Sequence, residues 1–301
     1  MKINICIPVY NEEDNLSNFI YSINNYLENF KYDFIDLDVI FFNDGSSDSS
    51  LSILRNSNYK ILSELNNNGL GYAIDRLFEY SKNCSVDGVI KLDCDGQMDI
   101  NEIDLFIEKI IKNKYDLIQG NRFALSKDFK AGGFKKIGMK FFSTIFKLFG
   151  INIKDTSNGF IYVSKKWLEN YKIIGTYNAA QQIILDTKLR KLSYSQIDVT
   201  IKNRASGNSF VGIKYPFNVL ASLVLLLVYR KTKYIITVPG VIVLTVGILL
   251  FINDIYLWLS GSEDKVISNN IVIFMIILGI QFIAIGLITN YFKRENKEFL
   301  N

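Results

Sequence analysis

Histidine is absent from the 301 residues, which excludes an imidazole general base, a His-ligated metal and a Ser-His-Asp arrangement. Cysteine is scarce: Cys6, Cys84 and Cys94 lie far apart, form no zinc-type pair, and fit small buried thiols in a reducing compartment. No secretory leader is expected either, because the apolar run from Ile3 to Val9 is short, contains Pro8, and leads into the polar Asn11-Glu12-Glu13-Asp14. The N-terminal region is therefore expected to stay in the cytoplasm. Strong charge of either sign is also lacking. A formal net charge of +4 is too small to mark a nucleic-acid partner, so the position of each charge matters more than the sum.

What the chain has in abundance is apolar residues, 49% of the total, gathered toward one end. Through about residue 210 charged and apolar residues mix as they do in soluble domains, whereas beyond Tyr215 charges thin out. Ile235 to Asn253 carries no charge and stays apolar to Leu259 after Asp254, and Ile271 to Phe292 is a second uncharged run. Each is long enough to cross about 30 Å of hydrocarbon as a helix. Arg230, Lys231 and Lys233 precede the first run and Lys293, Arg294 and Lys297 follow the second, while the connecting loop holds Glu263, Asp264 and Lys265. Positive flanks face the cytoplasm, so the expectation is a multi-pass hairpin in the cell (inner) membrane with the N-terminal domain and C-terminus cytoplasmic. The uncharged stretch Tyr215 to Tyr229, about 22 Å as a helix, is short for a span and suits the membrane interface. The expected boundaries are 1–210 for a soluble domain, 211–234 for a juxtamembrane interfacial helix and 235–301 for a two-helix anchor with a short tail. Gly240, Gly247, Gly279 and Gly286 offer that anchor a small-residue face for association with copies of itself or with partners.

The soluble part reads as alternating strands and helices. Ile3 to Val9, Leu37 to Phe42, Tyr59 to Ser63, Val86 to Leu92 and Asp116 to Gln119 are β-rich runs, and Glu12 to Phe30, Leu70 to Ser81 and Ile103 to Ile111 carry apolar residues at helical spacing. Such a series implies an α/β domain with a parallel sheet and helices on both faces. Ligands bind beyond the carboxyl ends of such strands. Those ends are polar here: Tyr10, Asn11 and Glu12 after the first, Asn43 and Asp44 after the second, Asp93 and Asp95 after the fourth.

Asp93-Cys94-Asp95 follows its strand directly, and alternation projects both carboxylates to one region with Cys94 directed elsewhere. Two carboxylates and diphosphate oxygens suffice to hold one hard divalent cation, Mg2+ or Mn2+, which would neutralise charge on a departing nucleoside diphosphate. An isolated pattern of this kind is common in solvated turns, so its context decides.

That context includes Ile7-Pro8-Val9-Tyr10-Asn11-Glu12-Glu13, Asn43-Asp44-Gly45-Ser46-Ser47-Asp48, Asn68-Gly69-x-Gly71 and Asp93-x-Asp95-x-Gln97. Gly120-Asn121-Arg122, Asp155 to Phe160 and Arg204 to Ser209 follow in order. Together they resemble family-2 glycosyltransferases of the GT-A fold over residues 3 to about 210, and within them the polyprenyl-phosphate sugar synthases: the dolichyl-phosphate mannosyltransferases and bacterial undecaprenyl-phosphate glucosyltransferases. The resemblance implies a Rossmann-like, mostly parallel sheet. It implies that Pro8, Tyr10, Asn11, Glu12, Asp44 and Gly69 serve the nucleotide, and that Asp93, Asp95 and Gln97 hold the metal. Arg122 and Arg204 would hold phosphates, with Lys136 in the acceptor loop and Ser209 beside Arg204. Three departures stand out: Asn43 replaces a usual aspartate, Met98-Asp99 a frequent His-Pro, and Lys135 or Lys136 a common arginine. A lysine there acts as a point charge, not a planar fork.

An absence also bears on the acceptor. Alcohol acceptors need a carboxylate to take the hydroxyl proton, commonly a Glu-Asp pair late in such domains, and the corresponding stretch reads Asn178-Ala-Ala-Gln-Gln182. A phosphate monoester is already an anion near neutral pH. The expected reaction is therefore an inverting transfer from a UDP- or GDP-sugar to polyprenyl phosphate. Two rivals remain, transfer to a lipid alcohol such as diacylglycerol and a non-catalytic membrane scaffold. Between Ser126 and Gly150, lysines at 127, 130, 135, 136, 140 and 147 alternate with aromatic and apolar residues, as in a basic amphipathic helix on an anionic lipid surface.

The hairpin is open to direct test. In a cysteine-free background, Ser262→Cys is expected to react with an impermeant thiol reagent from outside intact cells and Lys297→Cys only after the membrane is opened; the reverse labelling would overturn this topology.

Overall fold

The computed structural model describes residues 1–123, 141–147, 149–176, 179–200, 202, 215–261 and 270–298. Lys136, Asn178, Arg204, Ser209, the loop from Ser262 to Lys265 and most of the basic stretch 126–150 lie outside those residues. The chain divides into two compact units, Met1–Leu223 and Val224–Asn301.

The first unit is built on a seven-stranded sheet in the order β3-β2-β1-β4-β6-β5-β7. The strands are β1 (Lys2–Val9), β2 (Asp36–Asp44), β3 (Lys60–Glu64), β4 (Gly88–Lys91), β5 (Leu117–Asn121), β6 (Ile161–Ser164) and β7 (Tyr194–Asp198). Connecting them are α1 (Glu13–Glu28), α2 (Ser50–Arg55), α3 (Leu70–Asn83) and α4 (Ile103–Lys112). In β1, Ile3, Ile5, Cys6 and Ile7 are all fully buried, so the strand is covered on both faces and reads as a continuous apolar run, not an alternating one. One layer packs Leu16, Phe19 and Ile23 of α1 and Ile103, Phe106 and Ile107 of α4 against Ile5, Ile7, Phe41 and Ile90. Pro8 is tolerated in this central strand for a geometric reason. The last β4 bond to β1 is Leu92 N–H to Cys6 O at 3.3 Å; Pro8 lies two residues on, along the same edge, where no further strand needs its missing N–H.

The expected parallel series holds for β3-β2-β1-β4. Beyond it the sheet is mixed: β6 runs antiparallel to β4 and β5, and β7 returns parallel to β5. Periodicity had not signalled β6, whose four residues are too few to display a repeat.

In the second unit, helices Val238–Leu259 and Asn270–Glu298 run side by side in opposite directions, since Gly240 faces Phe282 and Ile283 whereas Gly247 faces Met275 and Ile276. A Cβ at Gly279 would lie 2.6 Å from the Leu244 nitrogen, and one at Gly286 would collide with Thr237. The glycines expected to serve association between copies are therefore used within the hairpin, where they bring two backbones together. Outward-facing side chains are apolar and exposed, among them Ile242, Leu249, Phe274 and Leu287. By length and composition, the helical stretches Pro216–Leu259 and Asn270–Phe292 are long and apolar enough to cross a membrane. Upstream, the helix Tyr215–Thr232 leaves helical geometry at Lys231 (φ −119°, ψ 29°) and continues through a π-helical turn, Lys233–Thr237. That break lies between the expected interfacial helix and the expected first span.

Asp116 ties the right-hand side of the sheet together. Its carboxylate accepts the Ser193 N–H and Oγ–H at 2.9 Å and the Ser164 Oγ–H at 3.0 Å, joining the entrances to β5 and β7 to the end of β6. Burial pushes this carboxyl's pKa up, but the Ser193 and Ser164 bonds and Lys166 outweigh it and hold it below the usual aspartate value. Asp116→Asn is expected to cost about 1–3 kcal/mol at pH 7 in urea denaturation. A depressed carboxyl stabilises the fold above pH ~4 and loses that contribution as pH falls, so the gap to wild type is expected to shrink toward pH 3.

Candidate active site

Parallel pairing brings the ends of β1, β2 and β3 side by side, and side chains then join the loops that follow. Asn11 stands in the left-handed region (φ 51°), a conformation asparagine tolerates. Its N–H donates to Ser46 Oγ (3.1 Å) and its Oδ1 accepts the Ser47 N–H (2.8 Å). The Glu12 N–H donates to Ser50 Oγ at 2.8 Å, while Glu12 Oε2 accepts from the Asn15 amide at 2.7 Å. Asp44, only 3% exposed, accepts the N–H groups of Asn68 (2.9 Å) and Gly69 (2.7 Å) on its two oxygens. Gly69 is required there: at φ +93° a Cβ would meet the Thr176 carbonyl oxygen at 2.5 Å. Asn11 and Asp44 thus shape the proposed nucleotide loops through backbone N–H groups. Asn43 also gains a reason, because its amide donates to Ser63 Oγ at 3.0 Å, which a carboxylate could not do.

Just beyond β4, Asp93 and Asp95 flank Cys94, which is buried and directed at the Pro8 carbonyl (3.7 Å). Burial, reinforced by Glu12, Asp93 and Asp95, raises the Cys94 thiol well above its usual value. The thiol therefore stays neutral. Asp95 Oδ1 accepts the Gln97 N–H at 3.1 Å across Gly96, which bends the loop at φ +75°. Met98, the residue replacing histidine, accepts the Asp93 N–H on its sulfur at 3.3 Å. Asp99 caps the turn Ile100–Glu102 and pairs with Lys202 at 3.1 Å, while the Lys202 N–H donates to the Gln97 carbonyl at 2.9 Å. The chain is therefore anchored to the Asp95–Gln97 loop two residues before Arg204.

Arg122 behaves as a clamp. Its Nε donates to Asp155 Oδ2 (2.6 Å) and its Nη2 to Asp155 Oδ1 (2.9 Å) and Ser157 Oγ (2.6 Å). Asp155 is fully buried, so this fork-to-fork pair is shielded from water and rigid. It holds the turn Asp155–Phe160 against the end of β4, where a Cβ on Gly159 would lie 2.7 Å from Lys91 Nζ and 2.9 Å from Asp93 Oδ2. Lys91 is the residue the sequence reading passed over. Its side chain is 1% exposed and its ammonium pairs with Asp93 Oδ1. A lysine interrupting the apolar run Val86 to Leu92 was the available signal.

Two hard carboxylates beside a neutral, averted thiol form an all-oxygen donor set. It fits Mg2+ or Mn2+ if diphosphate oxygens and water complete the coordination.

Glucosyl-3-phosphoglycerate synthase from Mycobacterium tuberculosis, solved with Mn2+ and UDP-glucose, superposes with a TM-score of 0.60 at 16% identity, covering 75% of this chain and 78% of that one. The same enzyme has also been solved with Mg2+ and UDP. A likeness at that identity defines the fold, a GT-A-like α/β domain. Residues 4–172 match the sequence family described as Glycosyl transferase family 2, and the chain belongs to that family. Among curated relatives, a UDP-N-acetylglucosamine–dolichyl-phosphate N-acetylglucosaminyltransferase of Methanococcus voltae is 26% identical over 253 residues, 72% of this chain and 94% of that protein. A dolichol-phosphate mannosyltransferase of Pyrococcus furiosus is 27% identical over 280 residues, 86% of this chain and 72% of that protein.

The two aspartates differ in what else they do. Asp95→Asn keeps an oxygen for the Gln97 N–H and is expected to change stability by less than about 0.5 kcal/mol. Asp93→Ala strands the Lys91 ammonium in the interior and is expected to cost about 3 kcal/mol. Urea denaturation of the two variants measures the difference; equal stabilities would show that the Lys91 pair contributes nothing.

Proposed function

We propose that this glycosyltransferase transfers a sugar from a UDP- or GDP-sugar to a polyprenyl phosphate at the cytoplasmic face of a membrane, giving a polyprenyl-phosphate-linked monosaccharide. The observation that carries the reading is an acidic pair suited to a nucleotide-bound cation, together with a stretch, 179–198, in which both described carboxylates, Asp186 and Asp198, are engaged by other side chains. Gln181 and Gln182 are each 1% exposed, and the Gln182 amide is bonded to both backbone groups of Ile174. Asp186 is fully buried and paired with Arg190 at 3.4 Å. Asp198 accepts the Asn121 amide at 2.7 Å. A hydroxyl acceptor would need one of these carboxylates to take a proton, whereas a phosphate needs none. The dolichyl-phosphate acceptors named for two relatives and the exposed apolar hairpin support the same reading.

In this proposal Asp93, Asp95 and Gln97 hold Mg2+ or Mn2+, which supplies charge neutralisation to the leaving diphosphate. Pro8, Tyr10, Asn11, Glu12, Asp44 and Gly69 form the nucleotide loops. Arg122, held immobile by Asp155, and Arg204 serve the phosphates, with Lys136 in the acceptor loop and Ser209 beside Arg204 as further binding residues. The acceptor phosphate displaces the diphosphate in line at the anomeric carbon and inverts it. Orientation by the fixed loops and electrostatic stabilisation contribute most of the rate. The C-terminal hairpin anchors the protein in the membrane.

Detergent-solubilised protein offered a panel of nucleotide sugars is expected to consume one of them with polyprenyl phosphate, and to stop in excess EDTA. Free polyprenol and diacylglycerol are expected to be inert. Turnover is expected to fall below pH ~6, where a phosphate monoester takes up its second proton. Equal use of polyprenol and polyprenyl phosphate would move the assignment to the lipid-alcohol rival.

A further inference from the structure

β4 is a central strand whose residues Gly88 to Lys91 are all buried, and Lys91 places an ammonium group at its end with 1% exposure. A charge so placed needs a counter-charge. Its partner is Asp93, two residues on and just past the end of the strand. The pair is asymmetric: Asp93 retains 30% exposure, so the carboxylate reaches the site while the ammonium stays behind it. Oδ1 is taken by Lys91, and Oδ2 accepts no hydrogen bond among the described residues. The wall beyond them is made to fit. Gly159 leaves room for Nζ and Oδ2, and its turn is fixed by the Arg122–Asp155 fork and by the Asn158 amide, which donates to the Gly120 carbonyl at 3.0 Å.

This arrangement has an electrostatic consequence. Two carboxylates and one ammonium leave the site with a single net negative charge, which attracts a divalent cation more weakly than the bare acidic pair would. A nucleoside diphosphate brings further anionic oxygens and restores that attraction. We propose that Lys91 is a positioning residue that fixes Asp93 with one oxygen toward the metal and makes metal capture conditional on the nucleoside diphosphate. The inference rests on the metal-site reading of Proposed function, and it deepens that reading by coupling the ligands: the cation is held tightly only when the nucleotide is present.

Binding of Mn2+ to the full-length protein in detergent, followed by the loss of the free-ion electron paramagnetic resonance signal, tests this without turnover. Wild type is titrated alone, with UDP and with GDP; one nucleotide is expected to tighten Mn2+ binding by about tenfold or more. Lys91→Gln, which keeps a hydrogen bond to Asp93 without the charge, and Lys91→Met are expected to bind Mn2+ alone about tenfold more tightly than wild type. Lys91→Arg is expected to keep the nucleotide requirement. Circular dichroism establishes that each variant is folded. Wild type binding Mn2+ equally well with and without nucleotide would overturn the proposal whatever the variants do. So would a folded Lys91→Gln with unchanged or weaker Mn2+ binding. No Mn2+ binding under any condition would instead remove the metal-site reading itself.

Discussion

Backbone pairing along both edges of β1 is the constraint from which the rest of this domain follows. The strand is bonded to β2 from Lys2 to Val9 and to β4 from Ile3 to Cys6, in parallel register with each. Parallel partners end at the same side of a sheet, so Tyr10, Asn43 and Asp93 emerge next to one another although the chain between them forms helices on both faces. No charged side chain could impose this arrangement at the surface, where individual ion pairs contribute little. Buried main-chain hydrogen bonds can, because leaving any of them unmade is costly. A short, fully buried apolar strand is therefore the precondition for a polar site.

Given that frame, the loops are held by specific polar bonds and little packing. Asn11, Asp44 and Asp48 each bind backbone N–H groups of a neighbouring loop, and the site acquires its shape from atoms that are identical in every residue type. This is why departures from the family pattern are tolerated. Asn43 and Met98 occupy positions where another residue is usual, yet each completes a bond that the local backbone or a neighbouring serine requires. Arg122 and Lys91 illustrate the complementary case, since each is a cation kept in place by a carboxylate that is partly or wholly buried. Their stability contribution is modest on balance; their effect is to make the position of Asp93 and of the Asp155–Phe160 turn unique.

The C-terminal unit obeys different rules. From Val238 to Asn253 and from Asn270 to Phe292 its two helices carry no charge, and Gly240, Gly247, Gly279 and Gly286 let their backbones approach where larger residues would hold them apart. Close approach of small residues is the interaction available where the surroundings are as apolar as the side chains. Helix and sheet thus answer the same requirement, that main-chain groups removed from water find partners, in different ways: each helix of the hairpin pairs its groups internally, whereas each strand needs a neighbour.

The fold was legible wherever a window of neighbouring residues carried enough pattern. The strands through Glu64, α1, α3 and α4, the acidic strand ends and the two apolar spans all declare themselves in periodicity or run length, because burial on one face or on all faces leaves a local imprint. Asp93 and Asp95 stand out in the same way, two residues apart just past a buried strand. What tertiary structure alone decided is who answers whom. Arg122 and Asp155 are 33 residues apart, and nothing nearby in sequence shows which carboxylate holds that arginine in place. The reversal of β6, the capture of the Gly69 turn by Asp44 and the inward use of the four glycines are decisions of the same kind. Each depends on the closing of the sheet or the hairpin, which sets distances between residues remote in the chain, and periodicity carries no information about distance.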